Sequence, residues 1–272
     1  MSTVELNAKD VMNLRNKTGL PMMACKAALI EAGGDPEKAE DILRKQLKGK
    51  MESRTDRAAG QGRLGIVLNA DKSAGAIVEV RAETDFTAKN DTFIAMVDKV
   101  AQLALKAGAG NVSETPEMKA AIDEIRISTN ENCSFARAFK FEGKPGSIAS
   151  YLHHDGKTGS IVASDGTVSQ ELLRDVCMHA VAADPRPQGL VAEEIPSDIV
   201  EKERKFRLEQ AMESGKPKEI AEKMVEGGMR KFFEERALIE QPFVKDPTKK
   251  IKDVVGGDKK LSGFKRWAVG EA

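Results

Sequence analysis

Gly60-Gln61-Gly62-Arg63-Leu64-Gly65 has the glycine spacing that lets a backbone approach a pyrophosphate, and Gly156-Lys157-Thr158-Gly159 matches the end of a phosphate-cradling loop. The first pattern holds a dinucleotide only after a strand and at the start of a helix, whose N-terminus then meets the phosphates. Here it leaves a polar stretch and enters a segment of strand-like residues. The second lacks its upstream glycine, where Tyr151 stands, and Asp155-Gly156-Lys157 reads as a hairpin turn between two strand-like runs. Neither is expected to take a nucleotide.

The three histidines are His153, His154 and His179, and the three cysteines are Cys25, Cys133 and Cys177. No HExxH or CxxC spacing links them, so a zinc site or a disulfide framework is not expected. His153 and His154 are placed at a strand end. His179 falls on a helical stripe with Leu172, Val176 and Ala183, which makes it a partly buried helix histidine. Nothing in the chain groups a nucleophile, a base and an orienting residue. The expectation is no catalytic residue, no metal and no cofactor, and therefore not an enzyme.

The bulk numbers fit that expectation. Forty-three basic residues balance forty-three acidic ones in 272, so the chain lacks the cationic excess that coats nucleic acid. Hydrophobic residues at 40% and charged ones at 32% suit a packed core with a heavily solvated surface. No run reaches the roughly 20 apolar residues of a membrane span. The start, Met1-Ser2-Thr3-Val4-Glu5, resembles neither a secretory signal nor a transit peptide, so a cytoplasmic protein without membrane contact is expected.

The elements follow from punctuation and period. Residues 8–48 read as three short helices. Asn7 caps the first and Gly19 stops it. Pro21 opens the second, which runs to Gly33-Gly34. Asp35-Pro36-Glu37 starts the third, with Ala39, Ile42, Leu43 and Leu47 as its stripe. Such a module is small enough to be marginal alone. Residues 49–62 are polar and glycine-rich, a linker. Strand-like runs at 64–70 and 76–82 flank a turn, helices follow at 91–107 and 114–127, and strands return at 136–142 and 147–164. A helix covers 167–183. Residues 198–236 form a charge-rich helical hairpin broken at Ser214-Gly215-Lys216-Pro217, with Ile220, Ala221, Met224, Val225, Gly228 and Phe232 as one stripe. A short helix at 248–255 and a strand at 264–269 end the chain. Strands on both sides of the hairpin mean that it is inserted in a sheet domain, and the class is α+β.

Three segments, in order, resemble the elongation factor Ts family. They are Leu14-Arg15-Asn16-Lys17-Thr18-Gly19-Leu20-Pro21-Met22-Met23-Ala24-Cys25, then Glu83-Thr84-Asp85-Phe86-Thr87-Ala88-Lys89-Asn90, then 214–227 ahead of Gln241-Pro242-Phe243-Val244. The resemblance implies a ubiquitin-associated-like module over 1–48, the linker 49–62, a core N-subdomain over 63–143, and a C-subdomain over 144–197 and 245–272. A coiled-coil hairpin would be inserted between them at 198–244. Many bacterial relatives carry a further C-terminal helical module, whereas this chain stops soon after Trp267-Ala268-Val269-Gly270. The partner implied is the GTPase elongation factor Tu, with a homodimer or a two-plus-two assembly left open. Contact is expected from Arg15, Met22 and Met23 of the first module and from Met178-His179. Thr84, Asp85, Phe86 and Thr87 would disturb the partner's magnesium site.

Read locally, the same residues have plainer roles. Asp85 would accept hydrogen bonds at a turn or cap, and Phe86 would staple onto the next helix. One of Met22 and Met23 would face inward, Arg15 would be a solvated charge, and the hairpin a solvated arm. Gly227-Gly228 places a second glycine mid-helix, which costs roughly 1 kcal/mol against alanine and is expected to loosen the hairpin. A different class also fits the first module, an adaptor that binds helical ligands with the rest as scaffold.

Overall fold

The computed structural model describes residues 7–18, 20–52, 57–213 and 217–271. Gly19 and Ser214-Gly215-Lys216, expected to end helices, lie outside the described residues, as does the side chain of Leu47. The fold is α+β with antiparallel sheets.

Helices α1 (Ala8–Thr18), α2 (Met22–Glu31) and α3 (Pro36–Glu52) form the N-terminal module. Asn7 Oδ1 accepts from Lys9 N, and Asp35 Oδ1 from Glu37 N and Lys38 N, so both expected caps are made. Val11, Leu14, Leu20, Cys25, Ala28, Leu29, Ala39 and Leu43 fill its core. Regular structure reaches into both ends of segment 49–62, since α3 runs to Glu52 and β1 starts at Gln61.

The first sheet orders as β1-β2-β4-β3, from β1 (Gln61–Leu68), β2 (Ala74–Ala82), β3 (Gly110–Val112) and β4 (Cys133–Glu142). Alternate residues of β2 serve opposite faces. Ala76, Val78, Val80 and Ala82 pack with Phe93, Val97, Met118 and Ile122 from α5 (Asp91–Leu105) and α6 (Pro116–Thr129). Ile77 instead faces a second sheet, ordered β5-β6-β9 from β5 (Ile148–Leu152), β6 (Thr158–Ser164) and β9 (Leu261–Ala268). There it joins Ile148, Ile161 and Ala163, with Phe139, Phe141 and Trp267 beside them. The sheets meet closely: a Cβ on Gly75 would lie 2.5 Å from Leu68 Cδ2 and 2.7 Å from Ile161 Cδ1. The outer face of the second sheet packs on α7 (Gln170–Ala182) and α10 (Ile251–Val255) through Val162, Leu173, Val176 and Ile251.

Both glycine patterns take the backbone expected of them, Gly62 to Gly65 inside β1 and Gly156-Lys157 in the β5–β6 turn. Three expectations differ. On α7 the buried residues are Leu173, Val176, Cys177, His179 and Ala180. Leu172 is only half-buried, and Ala183 has left the helix for an extended conformation (ψ 136°). Residues 248–250 of the expected last helix instead belong to β8 (Asp246–Lys250), which pairs with β7 (Pro242–Phe243). The hairpin is α8 (Ser197–Glu213) and α9 (Lys218–Arg236). Its seam is Ala211, Ala221, Val225, Met229 and Phe232, while Ile220 and Met224 are 48% and 41% exposed. Each lies one residue, about 100° of helical rotation, before a seam residue. Gly228 is no random loosening: a Cβ there would lie 2.6 Å from Arg207 Nη1, so glycine lets the Arg207 side chain cross.

Glu79, fully buried, lies on the inter-sheet face of β2. Its carboxylate pairs with Arg81, accepts from Arg137 Nε at 2.7 Å, and accepts from Gly270 N at 3.0 Å. Arg137 in turn donates to Ala268 O and lies 4.6 Å from the Trp267 ring centroid. One carboxylate thus ties two strands to the end of the second sheet. Truncating one partner of a buried ion pair leaves the other charge stranded, so Glu79→Ala should lose about 3–5 kcal/mol of stability. Urea unfolding measures this, and an unchanged midpoint would refute the role given to Glu79.

Candidate functional site

Residues 84–87 open a four-residue helix, α4 (Asp85–Ala88), between β2 and α5. The cap is Thr84 rather than Asp85: its extended backbone lets Oγ1 accept from Thr87 N at 3.3 Å. Glu131 holds the same residue from the α6–β4 turn. Its two oxygens accept from Thr84 Oγ1 at 2.8 Å and Thr84 N at 3.2 Å. Next to it, Glu83 Oε1 accepts from Asn132 N at 2.6 Å. Thr87 and Ala88 are buried under the helix.

With that side anchored, residues 85 and 86 point out. Asp85 bridges to Lys89 one turn on, at 2.7 Å, and the hydrogen bond and charge of that lysine hold its carboxyl below the usual range. Phe86 is 83% exposed. It is no staple, since a staple would bury the ring. A bare phenyl ring on a helix gripped from behind is costly in water unless something covers it.

Arg15 lies exposed in the last turn of α1, and Met22 and Met23 in the first turn of α2. Both methionines face outward, Met23 at 73% exposure, because Cys25, Ala28 and Leu29 occupy the inward face of α2. The module leans on α6, with Ile127 packed against its core. The helix that ends at Glu131's turn therefore also supports the methionines.

Met178 and His179 part company. Met178 is half-buried and lines a cleft of about 770 Å³ with Tyr151, His153, Val244 and Lys245. His179 is buried behind it. Val244 N donates to Nδ1 at 3.1 Å, so the ring proton sits on Nε2 and is donated to Gln241 Oε1 at 3.0 Å. Gln241 Nε2 then donates to Pro185 O and Glu235 O, both at 2.8 Å. Any contribution of His179 to contact runs through the 241–244 turn that it holds.

These groups sit on three separate supports: the α1–α2 corner, α4 and α7. Glu131 and Gln241, which hold two of the supports, carried no signal in local spacing, being 47 and 62 residues from their partners. Burial raises the thiols of Cys133 and Cys177 to about 12, so both stay protonated. Among the described residues, no group of three or more His, Cys, Asp or Glu could hold a metal ion, and no helix is long and apolar enough to cross a membrane.

Exposed apolar side chains on rigid supports are the equipment of a protein that docks on another macromolecule. The family model described as Elongation factor TS matches residues 83–271. Elongation factor Ts of Alkalilimnicola ehrlichii is 36% identical over 98% of this chain and 92% of its own length. The corresponding proteins of Thiobacillus denitrificans and Hydrogenovibrio crunogenus are 38% and 40% identical, again over 98% of this chain, and over 93% and 92% of their own lengths. The chain belongs to the elongation factor Ts family.

The buried histidine yields a pH prediction. Burial pulls His179 below the ordinary histidine value, and the Gln241 contact draws it partly back. The unfolded chain therefore binds this proton before the folded one does. Stability owed to the neutral ring is complete above about pH 6.5 and is lost as pH falls from there through the folded value. His179→Asn, which keeps an acceptor near Val244 N, should flatten that acid-side loss. Denaturation midpoints across pH 5–8 check it, and superimposable curves for the two proteins would contradict it.

Proposed function

We propose that this chain is a guanine-nucleotide exchange factor for elongation factor Tu. It binds the GDP-bound GTPase, disturbs the magnesium and nucleotide site through Thr84–Thr87, and releases GDP so that GTP can enter. The observation that carries this reading is the 83% exposure of Phe86 on a helix anchored by Thr84 and Glu131. Family membership supports the partner, and the absence of chemistry is inherent in the mechanism. An exchange factor needs only to bind the vacant GTPase more tightly than the GDP form, and GDP is then weakened by the same factor.

Magnitudes decide how the work divides. Burying one phenylalanine is worth about 1.5–3 kcal/mol, which is roughly ten- to a hundredfold in an equilibrium constant. A wedge of that size needs docking elsewhere to hold it in place. Arg15, Met22 and Met23 on the first module and Met178 beside the 241–244 turn supply that docking. Methionine suits it because its flexible thioether fits an irregular surface. Such a protein works in the cytoplasm, where its GTPase partner meets the ribosome.

The expected outcome is that substoichiometric amounts of the chain accelerate release of fluorescent GDP from elongation factor Tu. Phe86→Ala should cut that acceleration at least about tenfold and leave the unfolding free energy within about 0.5 kcal/mol, as for other exposed positions. Absence of acceleration by the wild-type chain would end the proposal. A full rate from the Phe86 variant would remove the wedge from it.

A further inference from the structure

Like charges crowd where β9 passes the 186–189 segment, and two of them, Arg186 and Arg266, also line the Met178 cleft. A cavity of about 570 Å³ opens there, with Arg137, Arg186, Lys265 and Arg266 in its walls against the carboxylates of Glu194 and Glu271. Glu194 is engaged at the edge, accepting from Leu190 N at 3.0 Å, and Arg137 is committed to Glu79. That leaves Glu271 between two guanidiniums: Arg186 Nη1 donates to one carboxylate oxygen and Arg266 Nη1 to the other.

Arg266 is not fully satisfied by this arrangement. The Arg266 side chain is only 8% exposed, and its Nε has no hydrogen-bond partner. Gln188, another residue of the wall, has its Oε1 buried without a partner. Burial, together with the nearby charges of Arg186 and Arg137, pulls Arg266 down to about 10. A buried guanidinium pressed by others of the same sign is stabilised by a further anion, and its planar fork suits a two-oxygen group.

We propose that this cavity is an oxyanion-binding site that takes one phosphate or carboxylate group between Arg186 and Arg266, and that Glu271 is its intramolecular occupant. Glu271 is a reasonable stand-in. It presents two oxygens on a short segment, its side chain is 36% exposed, and Gly270 before it is held by Glu79. A carboxylate tethered in this way competes with free anions at an effective concentration on the order of millimolar.

The test uses the whole chain with inorganic phosphate and, separately, acetate as probes, at an ionic strength held constant with sodium chloride. Binding is read by calorimetry and by the shift in unfolding temperature. Glu271→Gln should bind phosphate saturably, with half-saturation at least about tenfold below that of the wild type. Adding Arg186→Gln, at a position 56% exposed and so tolerant of change, should abolish the gain. Acetate acting as well as phosphate makes this a general oxyanion site, and acetate without effect makes the ligand a phosphate; either supports the site. A Glu271→Gln chain that responds to both probes only as it does to chloride overturns it. So does a double variant that binds as tightly as Glu271→Gln alone.

Discussion

Two antiparallel sheets meet face to face across Ile77, Ile148, Ile161 and Ala163, and a fully buried carboxylate stands in the same layer. Glu79 can be there only because Arg81, Arg137 and Gly270 N surround it. Desolvating it alone would cost several kcal/mol. This layer dictates much of the remainder. With one face of each sheet spent on the other sheet, the helices must cover the outer faces. Thus α5 and α6 pack on the first sheet, and α7 and α10 on the second. The connections that carry α4 and the 241–244 turn are left at the margins of those helical layers.

The exposed Phe86 and the half-buried Met178 share a local design. Phe86 precedes the buried Thr87, and Met178 precedes the buried His179. Neighbouring helix residues point about 100° apart, so one can anchor while the other is presented. Each support is then locked from a distant part of the chain, Thr84 by Glu131 and His179 by Gln241. A side chain already held on a rigid support loses less freedom on binding than one on a loose loop.

The hairpin follows a different logic. Its seam is short, with Ala211, Ala221 and Val225 beside Met229 and Phe232, and its flanks carry exposed pairs such as Lys231–Glu235, worth a few tenths of a kcal/mol each. What orients it is its base. Gln188 N donates to Arg236 O, and Leu238 N to Gly189 O. A Cβ on Gly189 would lie 2.8 Å from Ile195 N, so the approach there is closer than any larger residue permits. The arm is therefore positioned at its root by the same 186–189 segment that borders the arginine-lined cavity.

Local chemistry by itself determined the class and the longer elements, though not the short α4, β3, β7 and β8: proline and glycine punctuation, caps such as Asn7 and Asp35, and a change of period from helix to strand all act within a few residues. The same locality dismissed the two glycine patterns, because what precedes and follows them is legible. Sequence resemblance pointed to Thr84–Thr87 and Met178-His179 before any contact was known. Tertiary structure alone decided which side of each was offered. The inward places on α2 went to Cys25, Ala28 and Leu29, which turned both Met22 and Met23 outward. His179 went inside because Gln241 and Val244, more than sixty residues on, satisfy both ring nitrogens. Glu79, Glu131 and Arg266 look like surface charges in a linear reading. Their roles depend on partners that the chain brings together only when it closes, since burial of a charge is a property of the whole packing and of no single segment.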